Sequence, residues 1–447
     1  MKNNSQLKPL LRLMLPLAIT GIAQSGAYFF ENIFLAKLGP ETLAAGGLVA
    51  WLLATLTVVI FGILSSLNIL ISLEFGAKNF SKISAILRDG LGLSIVLSIP
   101  LSFLVYHAGK IFSLLGQSPE IILLSNDYLH AAAWSLLPNT IMIVLIEFII
   151  GIGHGKTTMF AWLFSVILNI LTSYTLIFGK FGFPMLGIAG AGWGMTISYT
   201  LTSMTLALYI LFQARYKQYL KHFTLTNLSQ HTLALLQLGL PMGLMFSAEI
   251  AFFLVLNLMI GTYGYIQLSA NQIVLQYASI FMQMFFTVAQ ALTVRMGHLI
   301  GENKLPFAYK TASLGIYLSA ITMLIIATFL IFFPDFFIAA DFDLNDPRNG
   351  RVIHYARSLL ALSALFQIFE AVRITLFGAL RALKDTRFTF IASLISFWGI
   401  SFPVGYGLSH FEKLDALGYW WGMAIGASIS VLILTLRLRK LRYQSFG

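Results

Sequence analysis

The chain of 447 residues contains no cysteine, which excludes disulfides, thiolate catalysis and cysteine-ligated metals. Charge is scarce as well. Asp, Glu, Lys and Arg make up 10% of the chain, against about 25% in soluble globular proteins, too little to cover a water-facing surface. Disordered, coiled-coil and fibrous classes fall on the same composition. Catalytic signatures are missing: no P-loop lysine motif, no HExxH, no GxSxG, and no GxGxxG behind a strand. Without a P-loop the chain does not draw directly on ATP, so any pumping must use an ion gradient. What is present is apolar, with 58% hydrophobic and 14% aromatic residues and a mean hydropathy of +0.84.

Apolar stretches near the ~20 residues that a bilayer requires recur at 10–37, 43–73, 90–115, 123–152, 157–179, 187–214, 235–260, 266–294, 309–334, 353–380, 387–409 and 416–436. In lipid every backbone polar group must be satisfied within its own segment, so these predict twelve helices and an all-α polytopic membrane protein. The first stretch follows Lys2, Lys8 and Arg12 but is too long for a signal peptide and reads as a retained helix. Twelve spans put both tails on one side. If that side and the even-numbered gaps are cytoplasmic, 20 of the 28 basic residues lie inside, among them Lys78, Lys156, Lys304, Lys384 and Arg437. The positive-inside rule therefore predicts cytoplasmic termini. It also accounts for the net charge of +11 as topology and contact with anionic lipid rather than nucleic-acid binding.

The chain repeats itself. Leu15-Pro16, Gln24, Gly39 and Gly76 match Leu240-Pro241, Glu249, Gly264 and Gly301 at an offset of 225 residues. Lys156 matches Lys384, and Gly190-Ala191-Gly192-Trp193-Gly194-Met195 matches Gly418-Tyr419-Trp420-Trp421-Gly422-Met423, at 228. A unit with an even number of helices keeps its orientation on duplication. This predicts two six-helix lobes, residues 1–222 and 223–447, related by a pseudo-two-fold along the membrane normal.

Glu31, Glu147, Glu249 and Glu370 stand out among the acids as lying inside spans rather than loops. An ionised side chain at a helix centre costs about 2.5–3.5 kcal/mol on insertion scales, so each needs a partner, a proton or a water-filled cavity. Glu31 shares a helix face with Thr20, Gln24 and Tyr28, above a helix-breaking Pro16. Glu249 sits too deep to reach the interface, whereas Glu147 lies close enough to the inner end of its span to snorkel. Glu370 shares a face with Ser363 and Gln367, and Arg373 three residues on is placed for a local ion pair. The eighth span carries Gln272, Gln276, Ser279, Gln283, Thr287 and Gln290 at helical spacing, one polar face that lipid does not tolerate. Beside it lie Met282, Met284, Phe285 and Phe286, adaptable and aromatic side chains suited to flat apolar cations. At the matching positions the second span has the drier Gly47, Trp51, Ala54, Val58, Gly62 and Ser65. Asp335, Asp341, Asp343 and Asp346 read as a solvated acidic loop.

Over nearly its whole length the chain resembles multidrug and toxic compound extrusion (MATE) transporters of the bacterial NorM-like kind. The resemblance is carried by Leu15-Pro16-Leu17 with Glu31 before Leu38-Gly39, by Gly239-Leu240-Pro241 with Glu249, and by Ala270-Asn271-Gln272. It is extended by Arg295-Met296-Gly297-His298-Leu299-Ile300-Gly301-Glu302, by 378–386, and by Gly179-Lys180-Phe181-Gly182. It implies two lobes exporting organic cations in exchange for Na+ or H+, with Pro16 and Pro241 as hinges. Glu249 and Glu370 would form a second-lobe cation site, ligating Na+ if coupling is to sodium. Glu31 with Asn169 would form a first-lobe site, and Gln24, Tyr28, Gln272, Gln276, Met282 and Gln283 would line the substrate cavity. The family usually has Asp where this chain has Glu31 and often where it has Glu370. Some members have a further Asp at the position of Ser173, which leans coupling here toward Glu249 and Glu370. The expected protein is a monomer in the bacterial inner membrane, acting on small-molecule drugs and dyes among membrane lipids. It needs no nucleic acid and no cofactor beyond the coupling ion. The alternative is a flippase of lipid-linked or polyprenyl substrates, a class that commonly adds helices and a strongly basic cavity.

Overall fold

The computed structural model describes residues 4–114, 116–221, 223 and 231–445, with all their side chains except those of 4–6 and 25–29. The described chain is helical between short turns. Its first part contains α1 (Asn4–Ala36), α2 (Pro40–Leu64), α3 (Ser66–Gly76), α4 (Phe80–Tyr106), short α5 (Gly109–Leu114), α6 (Pro119–Ala133), α7 (Leu136–Gly151), α8 (Gly155–Phe178), α9 (Ala189–Phe212) and short α10 (Ala214–Leu220). Then come α11 (Thr232–Gly261), α12 (Tyr265–Gly301), α13 (Leu305–Phe332), short α14 (Pro334–Ile338), α15 (Gly350–Ala382), α16 (Thr386–Leu394), α17 (Phe402–His410) and α18 (Asp415–Gln444). A π-helical turn, Ile395–Ser401, joins α16 to α17.

Among the described residues ten helices or continuous helix pairs are long and apolar enough to cross a membrane, and eleven if α6 and α7, bent by 46°, form one span. α1, whose side chains are only partly described, coincides with the remaining predicted span. Several helices run past their apolar stretches into basic residues, α12 through Arg295, α15 through Arg381 and α18 through Arg437.

The repeat is visible in the backbone. Gly39 and Gly264, 225 residues apart, precede α2 and α12 with φ of +131° and +117°, angles that only glycine adopts without strain. Lys78 and Asn303, also a matched pair, both turn through φ +57° after α3 and α12. The matched Gly-x-x-Trp-Gly-Met segments begin α9 and α18 and do one job in each. A methyl group on Gly190 would lie 2.5 Å from Ile177 N, and one on Gly418 would lie 2.5 Å from Ser409 N. These are the small-residue contacts that let membrane helices approach closely, here α9 on α8 and α18 on α17.

The chain forms two compact units, an N unit of residues 15–243 and a C unit of residues 1–14 with 244–447. The changeovers fall inside α1 and α11, each within three residues of a proline, Pro16 or Pro241, and not in the link that follows α10. The N unit is cored by Leu35, Val49, Tyr128, Ala132, Ile177 and Ala191. The C unit is cored by Phe252, Ile273, Leu360, Phe366, Phe397 and Trp420. The segment between α13 and α15 carries the acidic loop. There Asp335 pairs with Arg357 at 2.6 Å and Asp346 with Arg348 at 2.7 Å, and the Arg348 partner holds the Asp346 carboxyl below its usual range.

Candidate functional site

In the C unit three charged side chains from two helices meet in the interior. α11 supplies Glu249; α15 supplies Glu370 and, one turn on, Arg373. Spacing of three on a helix puts Glu370 and Arg373 on one face, and the guanidinium grips that carboxylate with both prongs, Nε to Oε2 at 2.7 Å and Nη2 to Oε1 at 2.5 Å. Its third nitrogen, Nη1, reaches Glu249 Oε1 at 2.9 Å. The same oxygen accepts from Ser393 Oγ of α16 at 2.7 Å. Phe377 and Phe397 cover the buried guanidinium at 4.6 and 4.7 Å, favourable cation–π contacts. Glu370 and Arg373 are wholly buried, whereas the Glu249 side chain keeps 12% of its surface. Two carboxylates and one guanidinium leave a formal charge of −1. The local ion pair expected between Glu370 and Arg373 therefore exists and extends to Glu249.

The π-helical turn shapes this site. It follows Ser393, presents Phe397 to Arg373, and lets Trp398 Nε1 donate to the Ala248 carbonyl at 3.0 Å, beside Glu249. Widened turns of this kind concentrate at functional sites. Sequence reasoning missed Ser393, Phe397 and the turn; in an apolar span neither a serine nor a phenylalanine carries a signal.

In the N unit Glu31 of α1 is 8% exposed and accepts a hydrogen bond from Tyr128 Oη of α6. Tyr128, fully buried, also approaches Met195 Sδ at 3.8 Å. Asn169 of α8 donates through Nδ2 to Ser198 Oγ at 3.4 Å. α1 and α8 touch through Phe34 against Tyr174 and Phe178. No hydrogen bond between Glu31 and Asn169 is present among the described residues, so the predicted pair shares a unit but not a direct bond. Tyr128, 97 residues from Glu31, was not foreseeable from spacing. Glu147 does not snorkel: it is 0% exposed and accepts from Asn68 Nδ2 at 2.6 Å, because α3 and α7 pack over its carboxylate.

The polar row of α12 changes character along its length. Gln272, Gln276 and Ser279 are exposed, Gln283 is half-buried, and Thr287 and Gln290 are buried. Exposed amides at this depth require water, since lipid offers no hydrogen bonds. Gln272 is oriented by Asn257, whose Oδ1 accepts from Gln272 Nε2 at 3.3 Å and Asn271 Nδ2 at 3.0 Å. Trp420 Nε1 in turn donates to Asn271 Oδ1 at 2.9 Å. Met282 is half-buried against the C-unit core. In α1, Gln24 is half-buried, and the Tyr28 side chain lies outside the described residues.

The MatE family profile matches residues 16–175 and 241–407, which include Glu31, Glu249 and Glu370. The chain is 31% identical over 435 residues to a probable multidrug resistance protein NorM of Brucella suis, covering 96% of this chain and 92% of that protein. It is 29% identical over 437 residues to the protein of the same name in Synechocystis, covering 98% and 95%. Among solved structures it superposes on the outward-facing conformation of a multidrug resistance MATE family transporter of the MOP superfamily with a TM-score of 0.89. That match has 19% identity and covers 99% of this chain and 97% of the other. At that identity the likeness shows the fold: an all-α, multi-pass membrane protein of this architecture.

Proposed function

Because this chain belongs to the MATE family, we propose that it is a secondary active multidrug exporter of the bacterial inner membrane. It moves organic, often cationic and aromatic, compounds outward in exchange for Na+ or H+ by alternating access of two six-helix lobes, with both termini cytoplasmic. The observation that carries the reading is the buried Glu249–Glu370–Arg373 cluster with its surplus negative charge, held inside spans where charge is costly. A ligand shifts a two-state equilibrium only by binding the two states unequally, and one unbalanced charge in a low-dielectric interior provides such a difference. The exposed amides of α12, with Met282 and the aromatic residues beside it, supply a surface that accepts flat cations of varied shape. Pro16 and Pro241 sit where the two units change over and serve as hinges. Arg373 is ion-paired and fully buried, and so adds no basic lining of the kind that a lipid-linked anionic substrate would need.

The experiment is ethidium efflux from proteoliposomes under an imposed sodium gradient and then an imposed proton gradient, with Glu249→Gln as control. Efflux driven by either ion and lost in the variant supports the antiporter. No efflux under both gradients, from folded protein, overturns it in favour of lipid flipping or a narrow physiological substrate.

A further inference from the structure

The donor set around Glu249 and Glu370 does not suit sodium. A sodium ion in a membrane protein is held by several oxygen lone pairs at once, typically carboxylates and free carbonyls. Four carboxylate oxygens are present here, and three already accept from donors: both of Glu370 from Arg373, and Oε1 of Glu249 from Arg373 and Ser393. Hydrogens on those nitrogens and on the serine point at the lone pairs that a metal would need. The place between the two carboxylates, where a shared cation would lie, is filled by the guanidinium. That cation is permanent, because arginine does not deprotonate in proteins. It is also firmly seated, with a two-pronged grip on Glu370, a third bond to Glu249, aromatic faces at 4.6 and 4.7 Å, and no solvent exposure.

We propose that Arg373 is the ion-selectivity determinant of this site: its guanidinium is the resident counter-cation of Glu249 and Glu370 and closes the pair to sodium. The inference rests on the antiport reading, whose coupling ion it narrows at this pair. It carries a converse. Replacing Arg373 by a neutral side chain uncovers the Glu249 carboxylate, the Ser393 hydroxyl and the side-chain oxygen at position 370, carboxylate or, after E370Q, amide: a set of oxygens fit for Na+.

The test measures sodium binding without transport. Ligands that bind the folded state raise its melting temperature, so the readout is the difference in Tm between NaCl and choline chloride at equal ionic strength. It is taken on purified protein in the wild type, E249Q, R373Q and the double variant R373Q/E370Q. The double variant keeps the formal charge of −1 and folds even if two unpaired carboxylates prevent R373Q from doing so. In the wild type, any sodium response present is expected to survive E249Q unchanged, so that none of it belongs to this pair. R373Q, or the double variant, is expected to gain a sodium-specific rise of several degrees that a further E249Q removes. A wild-type sodium response abolished by E249Q overturns the proposal. So does the indifference to sodium of both folded Arg373 variants. Since the readout needs no efflux, failure here leaves the antiport reading standing, and absence of efflux under either gradient leaves this result standing.

Discussion

Glu249 and Glu370 hold the same arginine by different means, and the difference decides which substitution is informative. Glu249→Gln removes the charge that Arg373 meets at Nη1, but the two-pronged Glu370 contact remains, and an amide oxygen in the place of Oε1 still accepts from Ser393. The guanidinium is therefore not stranded, which avoids the ~3–5 kcal/mol cost of leaving a buried charge alone. E249Q should insert and fold normally while export disappears, measured as ethidium efflux per inserted protein. Glu147 is a contrasting case. It is equally buried, and its Oε2 accepts from Asn68, a role that the oxygen of glutamine also fills. Glu147→Gln, which keeps an oxygen for Asn68, should leave export near the wild-type rate in the ethidium assay. Complete loss would place coupling in α7 instead. The acids themselves were legible because hydropathy makes a carboxylate in an apolar span conspicuous. Their partners were not. Tyr128, Ser393 and Phe397 look like any residue of a membrane helix, and only the packing of α6 and the π-helical turn brings them to Glu31, Glu249 and Arg373.

Helices were legible wherever a period or a punctuating residue marked them. Their starts at Gly39 and Gly264 follow from a backbone angle, and the duplicated Gly-x-x-Trp-Gly-Met follows from a close approach that the sequence could only hint at. The bend between α6 and α7 and the π-helical turn in the eleventh span have no such mark, because an apolar run reads the same whether the helix inside it is straight, bent or widened. The duplicated segment yields a test at this scale. A methyl on Gly422 would lie 2.6 Å from Gly405 Cα, backbone that cannot yield as a flexible side chain could. Gly422→Val should force α18 off α17 at an overpacking cost of about 1–3 kcal/mol. That would be seen as a lowered Tm and lower efflux with the affinity for ethidium unchanged. A variant with wild-type stability would mean that the repeated glycine has no packing role.

For the whole molecule, the placement of basic residues and the count of spans have to agree. A chain of twelve helices that begins inside must end inside, and each duplicated six-helix half must then enter the bilayer from the same side. The described helices fit that count, but orientation is a statement about the membrane and needs its own measurement. The lack of native cysteine makes one direct, since any thiol introduced is the only thiol present. Lys180 and Glu412 are exposed, in gaps that the topology places outside; Gln218 is exposed on α10, in a gap that it places inside. Lys180→Cys and Glu412→Cys should be labelled by a membrane-impermeant maleimide added to intact spheroplasts, and Gln218→Cys only after permeabilisation. Labelling of Gln218→Cys in intact spheroplasts would invert the topology and with it the direction in which substrate is carried. Labelling of only one of the two outer sites would mean that an odd number of spans separates residues 180 and 412, so that the count of twelve, and with it the pairing of two six-helix halves of the same orientation, would fail.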